Sequence, residues 1–340
     1  MQADESVMPR DSAPAQRLFK RQLPEEAPVT SSSAALFRFG EQCNYRCPMC
    51  SNTGEAALFF RPTDELLRRA AVLQHCGFRR VVVTGGEATI HPGFWTVIEH
   101  LAAASMVWDI NTHGGSFGAA GFAQRAVDHG LQRAIVSLHS MHGATSAAIF
   151  GTNEGAHRGT IAGIDRLVEA GVEVLLNCVI TRLNLTQLED YLHTATQRFD
   201  RKVAFKFVFP STLGKGGHWP GIATLRYHEL RATVRRLQDL AAHQQLRILF
   251  ESFPNCVLEI PEHLNYGRAT FGETHYLDDA SGDRVYSMRH IEAELSAFGE
   301  ACLRCTALRH CPGVSLAYAR QFGVDELTPF PPRSRDRIST

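Results

Sequence analysis

At 340 residues, with 44% hydrophobic and 21% charged residues, the chain has room for one large α/β domain and a smaller appended unit. Lys plus Arg and Asp plus Glu both number 35, so no overall charge argues for nucleic acid or an anionic membrane as partner, and neither is expected. The opening segment holds no apolar stretch of the signal-peptide kind, and no run approaches the roughly twenty apolar residues of a membrane span, so a cytoplasmic location is the expectation.

Residues 1–30, rich in Pro, Ala, Ser and Glu without periodicity, read as a flexible leader. From Ala35 short apolar runs alternate with amphipathic segments, the pattern of βα units. The first strand is expected from Leu36 to Phe39. A helix follows from Thr63, read as its N-cap with Asp64 and Glu65 in the first turn, and stops near Gly77. Val81 to Thr84 reads as a buried strand broken by Gly85-Gly86, with further strands from Val107 to Asn111, Ala134 to Leu138, Val172 to Ile180 and Val203 to Phe209. The helix before Val172 puts Ile161, Ile164, Leu167 and Val168 on one face and ends at Gly171; the next opens with Thr186 and Glu189 in capping-box register. This is an α/β pattern of six strands, a partial (β/α)6 barrel of the TIM type over residues 31–250, with the chemistry on loops at one end. An amphipathic stretch from Tyr227 to Ala242 and a last strand from Leu246 to Phe250 complete it. Residues 251–340 read as a small, irregular C-terminal domain and tail.

Cys43-Asn44-Tyr45-Arg46-Cys47-Pro48-Met49-Cys50 places three thiols at C-x3-C-x2-C spacing. Three thiolates can hold three irons of a cubane cluster that ordinarily takes four cysteines, which leaves the fourth iron open to a reactant. Structural zinc wants four closed ligands, and no histidine precedes His75 and no further cysteine precedes Cys76. One βα unit later comes Gly85-Gly86-Glu87, where two glycines permit close approach of a ligand to backbone and a carboxylate can accept from an ammonium; its bland counterpart is a tight turn with an exposed Glu.

Together the cysteine loop and the Gly-Gly-Glu turn resemble the radical S-adenosylmethionine (SAM) superfamily, a resemblance that spans about residues 35 to 320. It implies that Cys43, Cys47 and Cys50 hold a 4Fe-4S cluster, that SAM binds its open iron, and that reduction yields a 5'-deoxyadenosyl radical. The radical would take hydrogen from a peptide or small-molecule substrate, with electrons from a reducing partner such as flavodoxin or ferredoxin. The implied SAM contacts are Gly85, Gly86 and Glu87 at the methionyl amino group, and Met49 against the adenine, where relatives usually carry an aromatic residue. They extend to Asn111 in the turn Asn111-Thr112-His113-Gly114, Ser137 in Val136-Ser137-Leu138-His139, and Asn177. Taken singly, Asn111, Ser137 and Asn177 read equally well as satisfied polar groups at strand ends.

Cys302-x2-Cys305-x5-Cys311, with Cys256 upstream, resembles the auxiliary-cluster domains called SPASM and twitch, and implies a second 4Fe-4S cluster. The alternative is a zinc site of four cysteines, or one in which His310 replaces a cysteine. Four thiolates for one cluster leave no iron open, which favours electron acceptance and an oxidative modification. Cys76 reads as a small buried residue; Cys178 reads as core packing or, more sharply, as a thiol hydrogen donor facing the radical. His139 and His142 form the one H-x-x-H pair and are a candidate metal site. Two other classes of function fit part of the pattern: a non-catalytic two-cluster electron carrier, and a zinc-stabilised binding protein. Neither explains the Gly-Gly-Glu turn together with an incomplete first ligand set.

Overall fold

Runs of β-branched and aromatic residues, buried on both faces and separated by amphipathic helices, dictate a parallel sheet covered by helices. The computed structural model describes residues 18–20, 28–50, 59–210, 225–262, 273–278, 281–282 and 284–331. Its main sheet runs through β2 (Ala34–Arg38), β3 (Arg80–Thr84), β4 (Val107–Thr112), β5 (Leu131–Ser137), β6 (Glu173–Val179), β7 (Val203–Val208) and β8 (Ile248–Glu251), adjacent in chain order and parallel throughout. That order is a partial barrel of the TIM type. The helices between the strands are α1 (Thr63–His75), α2 (Phe94–Ala103), α3 (Phe122–Asp128), α4 (Gly143–Phe150), α5 (Glu154–Glu169), α6 (Leu188–Arg198) and α7 (Tyr227–Gln244).

Side chains of period two divide the sheet into an outer core and a lumen. Outward, Phe37, Val83, Ile110, Val136, Leu176 and Phe207 pack in one continuous core that includes residues of the helices, among them Leu66, Val97, Ile164 and Leu192. Inward, Ala34, Val82, Ile135, Leu175 and Ala204 form a thin apolar layer across the middle of the lumen. Below it, at the strands' N-terminal end, Arg80 holds the fully buried Asp109 carboxylate with two contacts of 2.9 and 3.0 Å, and Arg133 joins Asp109 at 3.9 Å to Glu173 at 2.8 Å. Burial pushes the Asp109 carboxyl up, against the pull of the two guanidiniums. Above the apolar layer the inward positions turn polar: Thr84, Asn111, Ser137, Asn177 and Lys206 lie on successive strands, with Ser137, Asn177 and Lys206 in direct register. One end of the lumen is thus a charged plug and the other a polar mouth.

Several boundaries differ from the sequence reading. Pro62, not Thr63, is the N-cap of α1; Thr63 is the first helical residue, and its side chain packs where a Cβ on Gly93 would lie, 2.2 Å from Thr63 Oγ1. The Thr186–Glu189 capping box does not form, because a 3-10 turn over Leu185–Gln187 runs into α6 without a side-chain cap, and Glu189 instead meets Arg236 of α7 at 2.5 Å. The region after residue 250 is less irregular than expected. It contains a helical turn α8 (Asn255–Leu258), β9 (Thr274–Leu277), which adds to the main sheet parallel to β2, and β10 (Val285–Ser287), antiparallel to β9. After α9 (Met288–Leu295), β11 (Ser296–Gly299) and β12 (Val314–Ser315) form a second sheet with β1 (Leu18–Phe19), and α10 (Leu316–Phe322) follows. β1 lies within the segment read as a leader; residues 1–17 and 21–27, like 332–340 of the tail, lie outside the described residues.

Removing the acid of the charged plug leaves two arginines facing a buried gap. Asp109→Ala is expected to destabilise the fold by about 3 kcal/mol, and Asp109→Asn by less, read as the shift of a denaturant or thermal unfolding midpoint; equal stability of both variants and the parent would refute the plug.

Candidate functional site

The cysteine loop leaves β2 through Gly40, whose φ of +126° places it where side chains are disfavoured. Phe59 C=O accepts from the N–H groups of Glu41 and Gln42 at 2.9 and 3.1 Å, and Gly40 bridges Phe60. From the other side the Gly-Gly-Glu turn docks on the same backbone: Gly86 N–H donates to Gly40 C=O and Glu87 N–H to Gln42 C=O, both at 2.8 Å. The two glycines are needed for this contact. A Cβ on Gly85 would lie 2.4 Å from Gly40 O, and one on Gly86 2.1 Å from Gln42 O. The approach that these glycines permit in the structure is therefore of chain to chain.

The far side of the loop is pinned by α4 and the end of β4. Arg46 N–H donates to Phe150 C=O at 3.1 Å beside Gly151, where a Cβ would meet Arg46 O at 2.3 Å. Tyr45 stacks on His113 with ring centroids 3.8 Å apart. The His113 tautomer follows from its partners: Nδ1 accepts from Gly115 N–H at 3.0 Å, so Nε2 carries the proton and donates to Asn44 Oδ1 at 2.8 Å. Glu87, 1% exposed, ties the turn to the same strand end. Its Oε1 accepts from Thr89 Oγ1 at 2.6 Å and Thr112 Oγ1 at 2.8 Å, and its Oε2 from His113 N–H at 2.8 Å.

These anchors place Cys43, Cys47, Met49 and Cys50 on the wall of a cavity of about 320 Å³ at the polar mouth of the lumen, a size suited to a small molecule. Gly85, Gly86, Glu87, Asn111, Ser137 and Asn177 line the same cavity. Asn111 Nδ2 reaches Thr84 Oγ1 only at 3.5 Å, and Asn177 Oδ1 is buried with no hydrogen-bond partner among the described residues. A buried, unmatched oxygen is costly unless a ligand matches it. Burial also pushes the Cys43 thiol up to about 11, although Tyr45 N–H donates to its sulfur at 3.3 Å. Binding iron there would displace its proton.

Residues 37–195 match the family model described as the Radical SAM superfamily. The chain carries a radical SAM domain. Two relatives named GTP 3',8-cyclase, from Microcystis aeruginosa and Rippkaea orientalis, are 27% and 28% identical over 308 and 294 residues, covering 88% and 84% of this chain and 86% and 84% of their own lengths. Among solved structures, Streptococcus suis SuiB bound to precursor peptide SuiA is similar, with a TM-score of 0.60 at 13% identity over 88% of this chain and 74% of that one. That likeness concerns the fold. The radical SAM family, with these relatives, marks the chain as an enzyme of that type.

Outside the radical SAM domain, Cys256, Cys302, Cys305 and Cys311 line a second cavity, walled by Pro254, Phe298, Leu308 and Leu327. The space between them is small, about 20 Å³. Cys311 Sγ accepts from Asn255 N–H and Gly313 N–H, both at 3.4 Å, and its thiol is pushed up to about 11, mainly by burial. His310 is exposed and does not line this cavity. Among the described residues no three His, Cys, Asp or Glu side chains converge closely enough to hold a single metal ion.

Two sequence readings are corrected, and a choice between two others is decided. Cys76, expected to be buried, is exposed at the C-terminus of α1. Of the two readings of Cys178, core packing holds: it points outward from β6 into the core between sheet and helices, away from the lumen, and so does not face a radical formed there. His139 and His142 diverge: His139 is buried on the cavity wall, whereas His142 is exposed and pairs with Asp190 at 3.0 Å. The sequence reading passed over Asn44, Tyr45, Thr112 and His113, which fix the cysteine loop. Two of them stand in the turn Asn111-Thr112-His113-Gly114, from which only Asn111 was selected.

Gly86→Ala must push the Gln42 carbonyl away and undo the pair of bonds at the loop's root. It is expected to cost about 1–3 kcal/mol and to lower iron uptake by the loop, whereas Gly159→Ala inside α5, with nothing within 4 Å of the added carbon, should leave iron uptake unchanged and raise stability by up to about 1 kcal/mol. Iron analysis and melting curves of both variants check this; normal iron and stability in Gly86→Ala would refute it.

Proposed function

We propose that this enzyme reductively cleaves SAM at the cavity described above and uses the resulting radical to take hydrogen from a small biosynthetic molecule. The observation that carries the reading is the sharing of one cavity by the three thiols of the C-x3-C-x2-C loop and the polar strand ends, with Asn177 Oδ1 awaiting a partner. The donor set fits the groups that the family implies. Cys43, Cys47 and Cys50 would hold a 4Fe-4S cluster, with Met49, Gly85, Gly86, Glu87, Asn111, Ser137 and Asn177 around SAM. Bound there, the two supply a one-electron reduction and a 5'-deoxyadenosyl radical.

The chain's own part is to orient. Tyr45 and Asn44 hold the loop against His113, and Glu87 holds the turn against Thr112, so the thiols sit at a fixed place over the lumen. The apolar layer of Val82, Ile135, Leu175 and Ala204, two residues before the polar mouth on each strand, separates the mouth from the charged plug. A small-molecule substrate is favoured over a peptide because the relatives that span most of the chain are named for a reaction of GTP, and likeness to a peptide-bound structure extends only to the fold. A soluble reductant such as flavodoxin or ferredoxin would supply the electron.

The C-terminal cavity is proposed to hold a second 4Fe-4S cluster on Cys256, Cys302, Cys305 and Cys311. Support comes from four thiols on one cavity and the two N–H groups aimed at Cys311 Sγ. Loading would have to spread the walls of so small a space. With four thiolates no iron is left open to substrate, which favours electron acceptance and a product oxidised relative to substrate.

In the reduced enzyme, SAM should give 5'-deoxyadenosine and methionine, and the joint variant Cys43→Ala, Cys47→Ala, Cys50→Ala should give none; chromatography of the dithionite-reduced reaction decides, and 5'-deoxyadenosine from the variant would sink the assignment. That same variant should retain about four irons after anaerobic reconstitution and no stoichiometric zinc. Zinc without iron would make the C-terminal site structural.

A further inference from the structure

We infer that His139 recognises the adenine of bound SAM, its Nε2–H donating to a ring nitrogen; the inference rests on the SAM site proposed above. β5 ends at Ser137, Leu138 turns outward into the core, and His139 returns to the cavity wall, 2% exposed. Its tautomer is fixed by the backbone. Val179 N–H donates to Nδ1 at 3.2 Å, so the ring proton resides on Nε2. The rest of the residue is equally constrained: Asn184 Nδ2 donates to its carbonyl at 2.8 Å, and Phe150 packs on its ring at a centroid distance of 4.8 Å. Asn184 is itself held, its Oδ1 accepting from Thr181 N–H at 2.7 Å, so the histidine is positioned by a second braced side chain.

The chemistry of this corner selects its ligand. Burial pushes the His139 imidazole down to about 3, so at neutral pH it offers a donor without charge. An uncharged donor suits the lone pair of a neutral heterocycle better than a carboxylate or phosphate, which would call for a cation. Beside it, Met49 and Ile149 form a small apolar cluster with Val179 and Cys47, a surface for the face of a flat ring. Val179 thus contributes to the ring surface and locks the donor, while Asn177 Oδ1, two residues earlier on the same inward face of β6, is an unmatched acceptor in the same cavity. An apolar slab, an edge donor and a nearby acceptor together describe a nucleoside. Met49 lies between Cys47 and Cys50, which puts this nucleoside on the cysteine loop and identifies it with SAM rather than with a second substrate.

The test uses the reconstituted holoenzyme and equilibrium dialysis with SAM and its 1-deaza, 3-deaza and 7-deaza analogues. Wild-type enzyme should bind one of the three analogues about five- to tenfold more weakly than SAM, the loss expected of one hydrogen bond. His139→Leu should bind SAM weaker by a similar factor and no longer distinguish that analogue, and His139→Gln, which keeps an N–H donor, should recover part of the loss. Wild-type enzyme that binds all three analogues as tightly as SAM overturns the inference even if His139→Leu fails to fold. So does a His139→Leu enzyme with wild-type discrimination, since the residue would then serve only to brace the loops. Failure of the wild-type holoenzyme to bind SAM at all would remove the proposed function itself, a different outcome from equal binding of the analogues.

Discussion

Two stretches of backbone, Gly85-Gly86-Glu87 and the entry to the cysteine loop, lie so close that no β-carbon fits between them, and the candidate site depends on that contact. It joins the first and second βα units at their C-terminal ends through two hydrogen bonds of 2.8 Å, each of which leaves a costly unmatched group if broken. The cysteine loop has little regular structure of its own. It takes its shape from the surfaces that hold it: the turn on one side, Phe150 and Gly151 on the other, and His113 beneath Tyr45. Thiols presented on such a loop are placed by the barrel rather than by local propensity.

The lumen divides stability from chemistry along its axis. Charged groups that satisfy one another fill the N-terminal end, an apolar layer separates them from the mouth, and polar side chains line the mouth. Strand ends in a barrel of this kind face outward from a rigid scaffold, so residues there can be chosen for binding without loosening the core. Asn184 shows how the loops are kept equally firm, since one amide spans the carbonyls of His139 and Val179 and the N–H of Thr181.

Much of this was legible because its signals are local. Strands such as Val81 to Thr84 declare themselves by β-branched runs, and the thiols by their spacing. The capping box at Thr186 failed because a tertiary partner, Arg236, claimed Glu189, which no local pattern reports. β1, β9, β10 and β12 are two to four residues long, too short for periodicity to register, and they exist through pairing alone. His113 and Tyr45 lie far apart in sequence and meet only when β4 delivers one beneath the other. Cys178 shows the opposite limit: its strand was readable, but which way its thiol points turns on a one-residue register that only pairing with β5 and β7 decides.

The addition of β9 to the outer edge of β2 has a consequence for how the molecule is made. β2 leaves the ribosome well before β9, the strand that covers its edge, which begins only at Thr274. At about 5–20 residues per second that edge stays open for on the order of tens of seconds. Through that interval the nascent barrel presents an unpaired row of backbone donors and acceptors beside its cysteine loop, a template for pairing with a neighbouring chain. Translation must pass Cys256 before the edge closes, so the chain spends its most association-prone interval with the first three thiols already emerged and the barrel's first edge still unsealed.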